Sequence, residues 1–133
     1  MNPPAVTITA IDHVVLTVRD EATAIAFYTR VLGMEVITFG QDRKAVRFGA
    51  QKINFHPQNR AIAPHAHRPT PGSADLCFMT STPLSDVIQH LQRCGVAILA
   101  GPVPRTGAQG PIRSVYFRDP DLNLIEVSNP VNS

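Results

Sequence analysis

The sequence has no tryptophan, only two cysteines and no apolar run of the length that a bilayer requires. A helix needs about 20 consecutive apolar residues to cross a membrane, so we predict no membrane anchor. The opening residues MNPPAVTI lack the basic and apolar regions of a secretory signal. Cys77 and Cys94 lie in apolar segments without C-x-x-C spacing, which favours small buried thiols over a disulfide. We therefore expect a cytoplasmic protein.

Other features that would indicate a function are also absent. Twelve Lys and Arg residues nearly balance ten Asp and Glu residues and are scattered along the chain, so no nucleic-acid partner is expected. There is no G-x-G-x-x-G, Walker or G-x-S-x-G motif, and dinucleotide binding and acyl-enzyme chemistry therefore lack support. The length predicts one domain, residues 1–133, whose core needs no disulfide or zinc.

What the chain does contain is an internal repeat. Asp75 follows His13, and Gly95 follows Gly33, at the same interval of 62 residues. Each half reads as a strand, a helix and a glycine stop, a unit that cannot bury its apolar face alone. We therefore expect the two halves to pack together. The repeat divides the chain into a first module at about 9–58, an irregular linker at about 57–73 and a second module at about 74–129.

Periodicity and turn residues predict the elements of each module. In the first module they are a strand at 9–18, a helix from about residue 21 that Asp20 caps, and strands at 34–39, 44–48 and 51–56. In the second they are a strand at 74–80, a helix that Thr82 caps and Gly95 ends, and strands at 96–99, 112–118 and 122–128. The segment GPVPRTGAQGP reads as a long loop, and residues 118–121 read as a type I turn.

Glu126 is the strongest local anomaly, because apolar residues surround it on the last strand. A carboxylate without a partner would lose several kcal/mol to desolvation there. The repeat aligns Glu126 with Asn54 and Asp75 with His13, and His56 lies one pleat beyond Asn54 on the same strand face. We therefore predict that these polar side chains converge on one site.

Each of these residues also has a structural interpretation. Glu126 can face solvent on an edge strand, His13 can be a hydrogen-bonded core residue, and Asp75 can belong to a turn. Taken together, their symmetry-related positions favour a site. Imidazole nitrogens with carboxylate or amide oxygens suit a divalent ion, namely Zn, Ni, Fe, Co or Mn. The alternative is a site without metal.

Further polar residues surround this predicted site. Three side chains in or just after the predicted loop can bind an anionic substrate group or be ordinary surface residues: Arg105, Arg113 and Tyr116. Three histidines in the linker and on the polar face of the second helix are expected at the surface: His65, His67 and His90.

Four runs of residues, IDHVVLTV, FYTRVLGMEV, KINFH and VYFRDPDLNLIEV, carry a family resemblance over residues 9–129. The chain resembles the vicinal oxygen chelate superfamily of glyoxalases, extradiol dioxygenases, fosfomycin-modifying enzymes and bleomycin-resistance proteins. Within it, the chain is most similar to small glyoxalase-domain proteins labelled virulence proteins. The resemblance implies an α+β fold in which two pseudo-symmetric βαβββ modules form a cupped mixed sheet around a metal, commonly in a homodimer. It makes His13 the first-strand ligand and Glu126 the last-strand ligand.

The chain departs from the family pattern at three positions. Asp75 stands where the metal enzymes of the superfamily usually have His, and Asn54 replaces a frequent Glu, Gln or His. Asp can bind a metal, whereas Asn binds weakly. Leu122 replaces the usual glycine of the D-P-x-G-N turn, which concerns the geometry of the turn and not the chemistry.

The resulting hypothesis is a metal-dependent enzyme. A divalent ion held by His13, Glu126 and one or both of Asp75 and His56 would polarise adjacent oxygens of a small substrate, with Glu126 moving a proton. Glyoxalase-like lyase or isomerase chemistry is favoured over an extradiol dioxygenase, which would need His56 beside His13 and Glu126. The alternatives are a metal-free protein that binds a small, antibiotic-type molecule and a structural or regulatory dimer with a vestigial site.

Overall fold

The computed structural model describes residues 5–131. The first half contains β1 (His13–Val18), α1 (Glu21–Arg30), β2 (Glu35–Phe39), β3 (Arg43–Phe48) and β4 (Gln51–Pro57). The second half contains β5 (Asp75–Met79), α2 (Leu84–Arg93), β6 (Ala100–Gly107), β7 (Gly110–Arg118) and β8 (Leu124–Pro130). Both halves therefore have the predicted order of elements, and the ends of the predicted domain, 1–4 and 132–133, lie outside the described residues.

Each half forms one four-stranded mixed sheet, in the order β1-β4-β3-β2 and β5-β8-β7-β6. In each sheet the first and last strands of the half are parallel neighbours, β1 with β4 and β5 with β8, and the remaining pairs are antiparallel. The registers also correspond, because Val15 lies opposite Asn54 and Cys77 lies opposite Glu126. The predicted α+β fold of two pseudo-symmetric βαβββ units is confirmed, and so is the equivalence of Asn54 and Glu126.

The two helices begin in different ways. The carboxylate of Asp20 accepts a hydrogen bond from the Thr23 N–H at 2.8 Å, so the predicted cap of α1 is confirmed. The predicted Thr82 cap of α2 is wrong. Asn129 Oδ1 on β8 accepts from the Leu84 N–H at 2.9 Å instead, because the first free N–H of a helix can be satisfied by any nearby acceptor.

Two predicted boundaries in the strands are also wrong. The first strand begins at His13, and no regular element is assigned to residues 5–12. The predicted loop GPVPRTGAQGP contains the edge strand β6 and its turn into β7, while residues 96–99 are irregular. Pro102 and Pro104 fit an edge strand because proline removes a ladder donor that an outer edge does not use.

Both sheets bury one face in a shared core. One connected cluster of buried side chains contains helix-facing residues of both halves, among them Ile53 and Ile125. Phe27 of α1 lies 6.3 Å from Phe117 of β7, and Phe48 lies 5.3 Å from Phe78, measured between ring centres. The two sheets are therefore joined through their helix-covered faces. His13 and Asn54 of the first sheet and Glu126 of the second lie on the opposite faces, which are called the open faces below. In residues 5–131, neither helix has the length and apolarity that a membrane span requires.

The turn between β7 and β8 holds a strained residue. The turn spans Asp119–Leu122, one position later than predicted, with the Leu122 N–H donating to the Asp119 carbonyl at 3.0 Å. Leu122 has a φ of 70° and is 62% exposed. A side chain in this left-handed region costs about 1–2 kcal/mol, and little apolar burial offsets that cost here.

We expect Leu122→Gly to raise the free energy of unfolding by about 0.5–1 kcal/mol, because the strain removed exceeds the added flexibility of the unfolded chain. Urea denaturation followed by circular dichroism measures the change. Asp42→Gly is the matched control, since Asp42 has a φ of 59° but Asp tolerates this conformation better than Leu. A gain in Asp42→Gly equal to that in Leu122→Gly would contradict the explanation.

Candidate functional site

Glu126 lies half-buried on the open face of the second sheet, opposite Tyr116 and Cys77 on the neighbouring strands. Its Oε2 accepts a hydrogen bond from Ser114 Oγ at 2.5 Å, and Ser128 Oγ lies 3.4 Å away. The two serine hydroxyls are 2.7 Å apart. These hydroxyls supply the compensation that the sequence analysis required for this carboxylate, and both serines were missed there.

A signal for the serines was present in the sequence. Ser128 lies two residues after Glu126, and therefore on the same strand face. Ser114 lies on the neighbouring strand, directly opposite Ser128, and only the strand register brings it to the carboxylate. Long-range pairing of this kind is not visible in one sequence.

Tyr116 and Arg105 form a pair on the same face as Glu126. Arg105 Nε donates to the Tyr116 hydroxyl at 2.9 Å, and the guanidinium carbon lies 5.4 Å from the centre of the Tyr116 ring. Successive side chains of a strand point to opposite faces. Arg113 therefore lies on the face of β7 that also carries Val115 and Phe117, and not on the face of Tyr116. Of the three side chains predicted in or just after the loop, the structure thus brings Arg105 and Tyr116 to the Glu126 side of the sheet.

Cys77 and Asp75 occupy the same face on the edge strand β5. Cys77 is exposed, so its predicted burial is wrong. Partial burial of its sulfur raises the pKa of the thiol, and the nearby Glu126 carboxylate raises it further. The thiol therefore stays protonated at neutral pH. Asp75 is exposed at the start of the strand.

The remaining predicted ligands lie on the open face of the first sheet. His13 Nδ1 is 2.8 Å from a carboxylate oxygen of Asp12, and the His13 side chain is 43% exposed. Asn54 and His56 are only 4% and 5% exposed. Asn54 Oδ1 and His56 Nε2 have no hydrogen-bond partner in the described part of the chain.

Burial is the main cause that lowers the pKa of His56, and the positive charges of Arg43 and His65 lower it further. His56 is therefore neutral at pH 7, the form in which imidazole binds metals. Its direct neighbours in the register are Thr17 on β1 and, two residues back along its own strand, Asn54.

Within one chain, the predicted ligands are divided between two faces. His13, Asn54 and His56 lie on the open face of the first sheet, whereas Asp75 and Glu126 lie on that of the second. No three His, Cys, Asp or Glu side chains among residues 5–131 come together as a metal-binding group. The donor types suit a divalent ion, but a single chain does not assemble them. The common site stays a prediction.

The other histidines have simpler surroundings. His65 and His67 are exposed, as expected. His90 is half-buried, and its Nε2 lies 2.9 Å from the Val31 carbonyl oxygen at the end of α1. The expectation that His90 lies at the surface is wrong, because this contact links the two halves.

Comparison with known proteins gives consistent results. A family model described as the glyoxalase/bleomycin resistance protein/dioxygenase superfamily matches residues 10–127. The Salmonella typhimurium virulence protein STM3117 is 60% identical over 121 residues, which cover 91% of this chain and 84% of that protein. The glyoxalase domain-containing protein RDO1 of Mycosarcoma maydis is 52% identical over 120 residues, covering 90% and 68% of the two chains.

Solved structures show the same relationship. The crystal structure of the Salmonella virulence protein superposes with a TM-score of 0.93 at 58% identity, covering 95% of this chain and 100% of that chain. An integron cassette protein from the mobile metagenome of V. Cholerae superposes with a TM-score of 0.93 at 53% identity, covering 95% and 98%. The fold and the positions of the strands are therefore shared with these proteins over nearly their whole length.

Proposed function

The chain belongs to the glyoxalase/bleomycin resistance protein/dioxygenase superfamily, and we propose that it is a metal-dependent enzyme acting on a small substrate with adjacent oxygens. The observation that carries this proposal is the Glu126 carboxylate. It is held on an open sheet face by the Ser114 hydroxyl at 2.5 Å. A half-buried carboxylate that is fixed in place and still accessible is the arrangement needed to bind a metal or to move a proton.

The proposed site is formed between two chains. The helix-covered faces of the two sheets meet inside one chain. We therefore infer that a cup that contains His13 and Glu126 requires a homodimer in which the first sheet of one chain meets the second sheet of the other. β1 and β5 are both edge strands. Val15 and Met79 on these strands remain 45% and 55% exposed. Docking the two edges would cover this apolar surface, which is favourable.

In such a dimer, His13 of one chain would bind the ion together with Asp75 and Glu126 of the partner subunit. A neutral imidazole and two carboxylates are ligands that a borderline divalent ion accepts. When bound, the ion would act as a Lewis acid on the adjacent oxygens of the substrate. Asn54 is a weak ligand. In the proposed dimer it would lie on the first sheet of one chain, across the cup from Glu126 on the second sheet of the partner.

The residues around Glu126 support a role in proton transfer. Ser114 donates to Oε2, which leaves the other carboxylate oxygen available to accept a proton from the substrate. The second hydroxyl, Ser128, bonds to Ser114 and restrains its orientation. Tyr116 lies beside Glu126 in the register, and the Arg105 hydrogen bond fixes its ring. We assign lyase or isomerase chemistry of the glyoxalase type to this arrangement.

Dioxygenase chemistry ranks second. It would need two imidazoles and one carboxylate around iron with open positions. His56 is neutral and lacks a hydrogen-bond partner at Nε2 in the described residues, which suits a ligand. However, His13 pairs with Lys52, whereas His56 lies four residues further along β4 and pairs with Thr17. One of the two histidines would therefore have to move before both could bind the same ion.

We expect protein purified without an affinity tag to contain about one divalent ion per chain. Glu126→Gln should lower the metal content by about tenfold or more, because an amide replaces a charged ligand. Elemental analysis by inductively coupled plasma mass spectrometry measures both values. Glu35→Gln is the matched control, since Glu35 is an exposed glutamate on the edge strand β2, at the opposite edge of the sheet from His13, and is paired with Arg47 on β3. It should keep its metal.

Turnover then separates an enzyme from a binding protein on the same fold. Removing the metal should abolish turnover of small compounds with adjacent oxygens, and one added metal should restore it. The metal-free alternative is favoured by one observation, the replacement of a metal-binding side chain by Asn54. That alternative predicts tight binding of a small molecule by metal-free protein without turnover.

Both cysteines are free, in keeping with the reducing cytoplasm that we propose as the location of the protein.

A further inference from the structure

The open face of the first sheet carries a cluster of cations around one aromatic ring. Lys52 Nζ lies 3.7 Å from the centre of the Phe39 ring, and Arg43 Cζ lies 4.7 Å from it. Within the part of the chain that the structure describes, neither cation forms an ion pair with a carboxylate. Two like charges beside one ring repel each other, so a bound anion would relieve this repulsion.

Two buried polar side chains lie on the same face. Lys52, Asn54 and His56 alternate along β4 and therefore project to one side. Arg43 joins them because Ala45, two residues along β3, lies opposite Asn54. Asn54 Oδ1 and His56 Nε2 are buried and lack hydrogen-bond partners among residues 5–131. Buried polar atoms are nearly always hydrogen-bonded to protein, water or a ligand, so each of these two atoms is available for one further hydrogen bond.

We propose that Arg43, Lys52, Asn54 and His56 bind the anionic oxygens of a small substrate, either a carboxylate or a phosphate group. The assignment of this anion to the substrate rests on the proposed function. Lys52 lies directly opposite His13 in the strand register, so the anion and the proposed metal ligand would lie on the same face of the first sheet. The adjacent oxygens of the substrate and its anionic group would then occupy neighbouring parts of one cup.

The chemistry of the four side chains fits an oxyanion. A guanidinium group presents a planar set of N–H donors that matches carboxylate and phosphate oxygens, and the lysine ammonium adds a second charge. No described partner fixes the amide of Asn54, so it can rotate and present its NH₂ group. His56 is buried, and its Nε2 has no hydrogen-bond partner among residues 5–131. An imidazole nitrogen at this position can donate one N–H to an oxyanion.

The test is a nuclear magnetic resonance titration of ¹⁵N-labelled protein that has been freed of metal on a chelating resin. Sodium acetate and sodium phosphate are added separately at constant ionic strength. Wild-type protein should show saturable shifts of backbone amides in β3 and β4. Lys52→Met and Arg43→Met should each bind at least about tenfold more weakly, since each removes a charge-assisted hydrogen bond.

Lys44→Met is the matched control. Lys44 is adjacent to Arg43, projects to the opposite face and donates to Thr38 Oγ1 at 2.8 Å, so its loss changes the net charge equally. It should bind both anions as the wild type does. Binding of acetate alone would identify a carboxylate substrate, and binding of phosphate alone a phosphate substrate. Equal weakening in all three variants, or shifts scattered outside β3 and β4, would overturn the proposal.

The titration separates this inference from the proposed function. It contains no metal, so a chain that never binds metal can still bind the anion at this cluster. A chain that binds metal with full stoichiometry but neither acetate nor phosphate would retain the proposed function and lose this inference. Dispersed amide spectra of the two variants show that they are folded, and a folded variant that binds with wild-type affinity counts against the proposal.

Discussion

Replacing Asp119 with alanine is expected to lower the free energy of unfolding by about 3–5 kcal/mol, because several buried donors lose their acceptor at once. Asp119 is 4% exposed. Its Oδ2 accepts from the Tyr28 hydroxyl at 2.7 Å and from Asn123 Nδ2 at 2.8 Å. Its Oδ1 accepts from the backbone N–H groups of Asp121 and Asn123, both at 2.9 Å.

This carboxylate links the two halves of the molecule. Tyr28 belongs to α1 of the first half, and Asp119 follows β7 of the second. The neighbouring Asp121 adds a second link, because its Oδ1 accepts from both the backbone and the side chain of Arg19 at 3.0 Å. Urea denaturation of Asp119→Ala measures the loss. Asp86→Ala, which removes an exposed carboxylate at the start of α2, should change stability by at most about 0.5 kcal/mol.

Tyr28→Phe tests the same link from the other side and should cost about 1–2 kcal/mol. In the double variant the two losses of stability should not add, since both substitutions remove the same hydrogen bond between Tyr28 and Asp119. Burial, and next the charge of Asp119, raises the pKa of Tyr28 well above its usual value. The folded protein thus keeps a proton that the unfolded chain loses above about pH 10.

Stability should therefore fall with rising pH in that range, by up to about 1.4 kcal/mol per pH unit from this group. The Tyr28→Phe variant should lack this component of the decrease. Parallel slopes of the two proteins between neutral pH and strongly alkaline pH would show that the phenol is not the group responsible.

The features that could be predicted from the sequence are local or periodic. The offset of the repeat predicted two βαβββ units, and the strand registers confirmed the equivalence of Asn54 and Glu126. The Asp20 cap depends on a residue three positions away, a distance that a sequence pattern can show. Glu126 stood out because a carboxylate among apolar residues is costly wherever the strand lies.

The features that could not be predicted depend on contacts between distant segments. Asn129 caps α2 from another strand, so a nearby Thr82 was the natural but wrong choice. The edge position of β6 is what tolerates its prolines, and strand order is not visible in local composition. Ser114 reaches Glu126 only through the pairing of β7 with β8.

The division of the ligands between two outward faces is the least accessible of these features. The repeat shows which residues are equivalent, but it does not show whether their faces meet in one chain or in two. The contacts between Phe27 and Phe117 and between Phe48 and Phe78 favour two chains, because they occupy the helix-covered faces. In the proposed site, His13 and Glu126 are therefore drawn from different chains.

A mixture of two inactive variants should therefore regain metal binding. His13→Ala and Glu126→Ala should each bind almost no metal alone. When they are unfolded together in equal amounts and refolded, half of the dimers combine one chain of each kind. Each such dimer has one site with both defects and one site with neither. Elemental analysis should give about a quarter of the wild-type metal content for a symmetric dimer.

The mirror-image control uses wild-type chains refolded with the double variant His13→Ala/Glu126→Ala. If ligands from two chains form each site, every mixed dimer contains one defect in each site, and about a quarter of the metal remains. If one chain supplied all the ligands, the control would keep about half of the metal and the first mixture would recover none. Equal metal contents in the two mixtures would therefore indicate sites shared between chains, whereas metal retained only in the control would indicate sites within one chain. These proportions depend only on which chain contributes His13 and which contributes Glu126, and not on the identity of the ion.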